Sequence, residues 1–406
     1  MVDHGARSSG SDRRPFASAG SGRTTRANRF ALDYRREGAL MMSGAAGRWT
    51  GRIVDVHAHV NGVLAMPIYR EAARAFGVTR VVSQVGIADA PRVVEALGDF
   101  VRLIAFPSFR AADRVHAMTE GYLEDIGAFH ALGARFAKLW NAPRTRELFP
   151  GEAGRAMTEF DGEWRLRHAR RAASLGMGIM VHVADPDTWF ATRYVDQGVY
   201  GRKIEHYRGL RVLMDAVPVP FIAAHMGGWP EDLEFLDGLL AAHANLHLDT
   251  SATKWVARAL SAHEPGRVRE FFERWRTRIL FGSDIVTIDD HVAPQPPQPP
   301  PGATSASPGQ APVAQAARHP MADLADGPEA AFDLYASRYF VLRTLFETRY
   351  DGESAIADPD LMMVDPTRYG EMSAPRLRGV DLPPEVLADV YHRNAERLFA
   401  SVGCPV

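Results

Sequence analysis

Apolar residues along this chain alternate between short continuous runs and longer stretches that bring them back every third or fourth position. The runs are RIVDV (52–56), RVVSQVG (80–86), VRLIAFP (101–107), RFAKLW (135–140), GIMVHV (178–183), VPFIAAH (219–225), NLHLDTS (245–251) and RILFGSD (278–284). Each has the length of a buried strand. The gaps carry helix-like sequence such as PIYREAARAFG, TEGYLEDIGAFHALG, EWRLRHARRAASLG and PEDLEFLDGLLAAH, several of them closing on glycine, a usual helix stop. Eight strands separated by helices predict parallel pairing through right-handed crossovers, and eight is the number that closes an α/β fold into a (β/α)8 TIM-type barrel. A doubly wound open sheet alternates in the same way, but no GxGxxG follows the first run to mark a dinucleotide site.

Two segments fall outside this cadence. Residues 1–49 are rich in Arg, Ser, Gly and Ala and read as a disordered leader, with Met41 and Met42 as alternative starts. Residues 294–317, PQPPQPPPGATSASPGQAPVAQAA, are a Pro-rich insertion after the eighth run whose composition packs no core. Residues 50–406 then form one barrel unit containing that insertion. No internal repeat points to a solenoid.

Charge narrows the function classes. With 47 Lys and Arg against 49 Asp and Glu, the net charge is −2, so no basic field recruits nucleic acid or an anionic membrane. A small-molecule substrate is the default partner. No window approaches the roughly 20 apolar residues of a membrane span, and the DRR near the start is followed by no apolar signal region. The single cysteine, Cys404, forms no intrachain disulfide, which suits a reducing compartment and makes the cytoplasm the expected location.

In a barrel, reactive side chains project from the C-terminal ends of the strands. His57 and His59 end the first run, His182 the fifth, His225 the sixth and Asp284 the eighth. Residues two apart on a strand face the same side, so His57 and His59 both face the barrel mouth. Imidazole and carboxylate are ligands that Zn2+, Fe2+ and Mn2+ accept, and three His with one Asp leave a position for water. One such histidine alone reads as a hydrogen-bonded core residue; five residues at the ends of four runs read as a metal site. The remaining histidines, His291 among them, receive no role. Trp140, Arg144, Trp229 and Asp249, at or just after run ends, are expected to line the substrate pocket, Arg144 being suited to a carboxylate.

The HxH after run one, single histidines after runs five and six, and Asp after run eight resemble the amidohydrolase superfamily. FIAAHMGGWPEDL, NLHLDTSA, ILFGSD and NAERLF are similar to its amidohydrolase-related branch, which includes aminocarboxymuconate-semialdehyde decarboxylase and 2-pyrone-4,6-dicarboxylate lactonase. The likeness spans residues 52–400. It implies one divalent ion held by His57, His59, His182 and Asp284, with His225 as acid/base and Asp284 assisting deprotonation of metal-activated water. The implied activity is metal-dependent hydrolysis of a small, carboxylated amide, lactone or ester. A non-oxidative decarboxylase on the same site is the alternative, and a non-catalytic binding barrel the third reading. Lys138, one of only three lysines, ends run four where binuclear members carry a carboxylated lysine, so it is a candidate for a second metal or for a substrate carboxylate. Zn2+ is the expected ion; Fe2+ or Mn2+, a binuclear site and a homodimer stay open.

Overall fold

The structure, a computed structural model, describes residues 23–109, 111–294, 319 and 321–406. All eight apolar runs form strands: β1 Ile53–His59, β2 Val78–Gln84, β3 Val101–Ile104, β4 Phe136–Trp140, β5 Gly178–His182, β6 Phe221–Ala223, β7 Leu246–Asp249 and β8 Ile279–Leu280. A short β9, Ile285–Val286, continues β8 past the FGSD turn and pairs parallel with β1. Pairing is parallel throughout, in the orders β3-β2-β1-β9 and β4-β5-β6-β7-β8. The two sheets join into one barrel at both seams. Ala105 bridges Ala137 between β3 and β4, and Val56 N donates to Phe281 O at 2.9 Å between β1 and β8. A small antiparallel hairpin, β10 Asp351–Glu353 with β11 Arg376–Arg378, lies outside it.

Register explains how both HxH imidazoles reach the mouth. Asp55 pairs with Val81 but Ala58 with Ser83, so β1 spends one residue more than β2 over this stretch. That extra residue is a bulge, which locally re-aims side chains. Below it, Val54 and Val56 pack in the barrel interior with Val82, Ile104, Phe136, Met180, Ile222 and Leu280. Above it, His57 and His59 line the cavity at the mouth while Ala58 turns to the outer core. The floor is closed by the C-terminal helix Asn394–Ser401, whose Ala395, Leu398 and Phe399 join the interior cluster.

The leader expected over residues 1–49 does not hold for its second part. Tyr34–Met42 is a helix capped by Asp33, whose carboxylate accepts from the Arg35 and Arg36 amides at 3.1 Å. Leu32, Tyr34 and Met41 are buried. Tyr34 meets Phe340 edge-on at 5.4 Å, and the Arg35 guanidinium sits 3.9 Å over Phe332, so this segment docks on the 20-residue helix Pro328–Glu347. Its apolar residues have a partner far along the sequence, which composition cannot reveal. Residues 1–22 and 295–318 lie outside the described residues, so neither the first part of that leader nor nearly all of the Pro-rich insertion is placed. Among the described residues, no helix is long and apolar enough to cross a membrane.

Candidate metal centre

The strand ends gather four imidazoles and two carboxylates. His57 Nε2 lies 3.5 Å and His59 Nε2 3.4 Å from Asp284 Oδ1, and one donor atom from each of the three lies within 4.8 Å of the others. Behind them, Asp249 Oδ2 accepts from His57 Nδ1 at 2.8 Å, which fixes the ring with Nε2 toward Asp284. Carboxylate-backed imidazoles of this kind are what metal sites use to set tautomer and orientation. Asp249 also anchors the next strand end: its Oδ1 accepts from the His225 amide at 2.9 Å and from the Ser251 hydroxyl. Ser251 Oγ stands 2.9 Å from His57 Nδ1 and 2.8 Å from His225 Nδ1, tying three strand ends into one polar knot.

Electrostatics keep the knot in the forms a cation would bind. Burial pushes the His57 imidazolium below its ordinary value, with Lys138 adding to the effect, and burial pushes His225 far down. Both rings are therefore neutral and carry a lone pair. Burial opposes ionisation of Asp284, but the hydrogen bond from His59 and the electrostatic pairing with the His57 and His225 rings outweigh it and hold the carboxyl well below its usual range. Asp249 is held low against burial in the same way, chiefly by His57.

Backbone strain marks the same positions. His225 (φ 57°), Met226 (φ 50°) and Asp284 (φ 59°) all occupy the left-handed region although none is glycine, a conformation costing about 1 kcal/mol or more each. Gly227 and Gly228 continue the left-handed turn, and a Cβ on Gly228 would come within 3.1 Å of the Ala184 amide. HMGG is thus a sharp turn that delivers His225 into the mouth rather than onto the outer face.

The sequence-expected residues divide as follows. His57, His59 and Asp284 form the three-donor group. His225 is beside it, its ring stacked on His57 at 5.1 Å. His182 reaches the same mouth but stands outside the group: its Nδ1 faces His225 Nε2 at 3.1 Å and its Nε2 faces Asp185 Oδ1 at 3.0 Å. Lys138 is buried to 2% exposure, and its ammonium makes no hydrogen bond or ion pair among the described residues. Burial lowers it to about 8, with Asp249 and Asp284 pulling the other way. Trp140 and Arg144 line a cavity of about 900 Å³ over the donor group.

Trp229 and Asp249 depart from their expected place on the pocket wall. Trp229 stacks on Tyr207 at 5.7 Å and packs on Phe235 at 4.8 Å, because the left-handed turn before it throws the indole onto the outer helices. Asp249 is fully buried, with both oxygens committed to the knot beneath the mouth.

Three contributors went unread in the sequence. Asp55 is a buried carboxylate within an apolar run, which is itself a signal. It accepts from the Ser283 hydroxyl at 2.6 Å and from Tyr339 OH at 2.8 Å, pinning the FGSD turn to β1 and to the long helix. Burial raises it to about 7 despite those bonds. Asp185, three residues after His182, accepts from Tyr194 OH at 2.6 Å and orients His182. Ser251 offered no signal beyond its place after run seven.

Comparison with known proteins adds a family. The profile of the family described as Amidohydrolase matches residues 54–400. No curated protein matches the chain. Similar solved structures include a TIM-barrel protein from Bordetella bronchiseptica, 14% identical, covering 87% of this chain and 99% of its own at a TM-score of 0.46. A 2,6-dihydroxybenzoate decarboxylase from Rhizobium is 14% identical over 58% of this chain and 88% of its own, TM-score 0.36. A 5-carboxyvanillate decarboxylase from Sphingomonas paucimobilis is 13% identical over 57% and 88%, TM-score 0.35. Likenesses this distant carry no weight for reaction or substrate.

Proposed function

The chain belongs to the amidohydrolase family, and from that premise we propose that it is a metal-dependent hydrolase of a small, carboxylated amide, lactone or ester. The observation that carries this reading is the convergence of His57, His59 and Asp284 at the C-terminal end of the barrel, with Asp249 backing His57. Two imidazoles and a carboxylate, the buried ring neutral and the acid ionised, fit a divalent ion by donor chemistry, and Zn2+ is our proposed occupant. When bound there, the ion would lower the pKa of a water and polarise a substrate carbonyl.

The chain's own residues supply the rest. Asp249 holds the Nδ1 proton of His57, so that Nε2 stays free to ligate. Asp284 Oδ1, already ionised, can accept a proton beside the group it helps to form. His225 is neutral, its Nδ1 occupied by Ser251, so Nε2 is the atom that exchanges a proton with a leaving group. His182, held between Asp185 and His225, is placed either to join the donor set or to pass a proton to His225 Nε2.

Elemental analysis of the purified full chain tests the reading, followed by a screen of carboxylated lactones, amides and aromatic acids read separately for ring opening, amide cleavage and CO2 release. One divalent equivalent with cleavage supports it. CO2 release alone replaces it by the decarboxylase, and absence of bound ion returns the barrel to a binding role. Two variants refine it. His225→Asn is expected to keep the ion and lose turnover by about 10²–10⁴-fold, the range for a positioned acid/base; loss of the ion would make His225 a ligand. Asp249→Asn is expected to weaken metal affinity by about 10–100-fold, measured by competition with a chromogenic chelator.

A further inference from the structure

The donor group stands where two cavities meet, since His182, His225 and Asp284 border both. The smaller, about 280 Å³, is walled by Trp189 and Trp255 and by the first turn of the helix Thr253–Ala262. Two cations face it from separate elements: Lys254 from that first turn, and Arg338 from the helix Pro328–Glu347.

The same wall carries four carboxylates, Asp185, Asp284, Asp358 and Asp360. Every carboxylate there is already engaged. Asp185 accepts from His182 and Tyr194. Asp358 and Asp360 share the Arg258 guanidinium, and Asp360 also accepts from the Trp189 indole at 3.1 Å. Asp284 faces His57 and His59. Lys254, by contrast, makes no hydrogen bond or ion pair among the described residues, although Asp358 and Asp360 act on it through space. Among the described residues, Arg338 donates only to its neighbour's hydroxyl, Ser337 Oγ, at 2.8 Å.

The arrangement is costly as it stands. Burial lowers Lys254, Arg338 lowers it further, and Arg26 adds to the same field; burial likewise depresses Arg338, to about 10. A lysine in a helix's first turn also has the helix dipole against it. Half-buried cations without a bonded carboxylate lose part of their solvation free energy, which an incoming anion restores. The walls favour a flat molecule, because both indoles are fixed by their N–H groups, Trp255 to Glu231 at 2.7 Å and Trp189 to Asp360.

We propose that Lys254 and Arg338 form an anion subsite that selects the substrate, binding the carboxylate of a flat aromatic or unsaturated acid against Trp189 and Trp255 with its reactive end toward Asp284 and His225. The proposal rests on the hydrolase reading only for the position of that reactive end. Subsite and catalysis can therefore fail separately.

The test uses the metal-stripped full chain, with benzoate and its neutral isostere benzamide as probes and quenching of tryptophan fluorescence as readout. Wild type is expected to bind benzoate about ten-fold or more tighter than benzamide, the worth of one charge-assisted hydrogen bond. Lys254→Met with Arg338→Met is expected to abolish the preference, and Lys254→Arg to keep it. Near-ultraviolet circular dichroism monitors the fold. Should the double variant not fold, Lys254→Met alone, which removes a cation with no bonded partner among the described residues, keeps the test readable through a reduced preference. Equal binding of the two probes by wild type, or a preference that survives the Lys254 and Arg338 substitutions, overturns the proposal, whatever the enzyme's turnover.

Discussion

Replacing both His57 and His59 by Ala is expected to strip the divalent ion and to lower turnover by more than about 10³-fold, because the shift of water's pKa from 15.7 toward about 7 disappears with the ion. The fold should persist, since the interior layer of Val54, Val56, Phe136, Met180 and Leu280 lies beneath the site. The two single variants separate metal loss from structural loss. His59 and the carboxylate it faces, Asp284, are both part-exposed, so His59→Ala should lose metal affinity with little change in melting temperature. His57→Ala also takes the donor from Asp249 Oδ2, a fully buried carboxylate, and should add a stability cost of about 1–3 kcal/mol. Metal content, activity and thermal unfolding measured together give the answer. Full metal occupancy in the double variant would remove the proposed centre.

That division between ligand and support also marks what the sequence could disclose. Strands were legible because a barrel strand is buried on both faces and reads as an unbroken apolar run, and the HxH spacing correctly put His57 and His59 on one face. The bulge that lets this face coexist with inward Val54 and Val56 was not legible, because it depends on the register against β2. Asp249 was read as a pocket residue by its position at a strand end. Only the three-dimensional knot with Ser251 and His57 reveals it as a support. Trp229 misled for the opposite reason: one residue beyond two left-handed glycines, it leaves the mouth altogether. The helix Tyr34–Met42 was hidden because its apolar face is completed by residues some 300 positions later, on Pro328–Glu347. The same long helix brings Arg338 opposite Lys254, a meeting no local pattern announces.

Lys138→Met is expected to stabilise the metal-free protein at neutral pH while impairing function. The folded-state value of about 8 lies below the ordinary 10.5, so between those values the unfolded chain binds the extra proton and stability rises with pH. The charged lysine therefore costs most below pH 8, at most about 3 kcal/mol from the size of the shift, and the cost fades as pH climbs through 10.5. Urea unfolding of wild type and variant between pH 7 and 10.5 should show the variant ahead at pH 7 and the curves converging at the alkaline end. A wild type as stable as the variant at pH 7 would mean that Asp249 and Asp284 fully compensate the ammonium. Such a costly, unbonded cation beside the donor group is typical of a residue retained for activity, and two activities are open to it. If Lys138 steers a substrate carboxylate, the variant keeps one divalent equivalent and the kinetic loss falls on KM for an anionic substrate. If it carries a carbamate between two ions, wild type holds two equivalents and the variant one or none. We expect one equivalent in each, because the two candidate donor groups, one of His57, His59 and Asp284 and the other of His57, His225 and Asp249, share His57, and Asp249 and Nδ1 of His57 are already paired with each other.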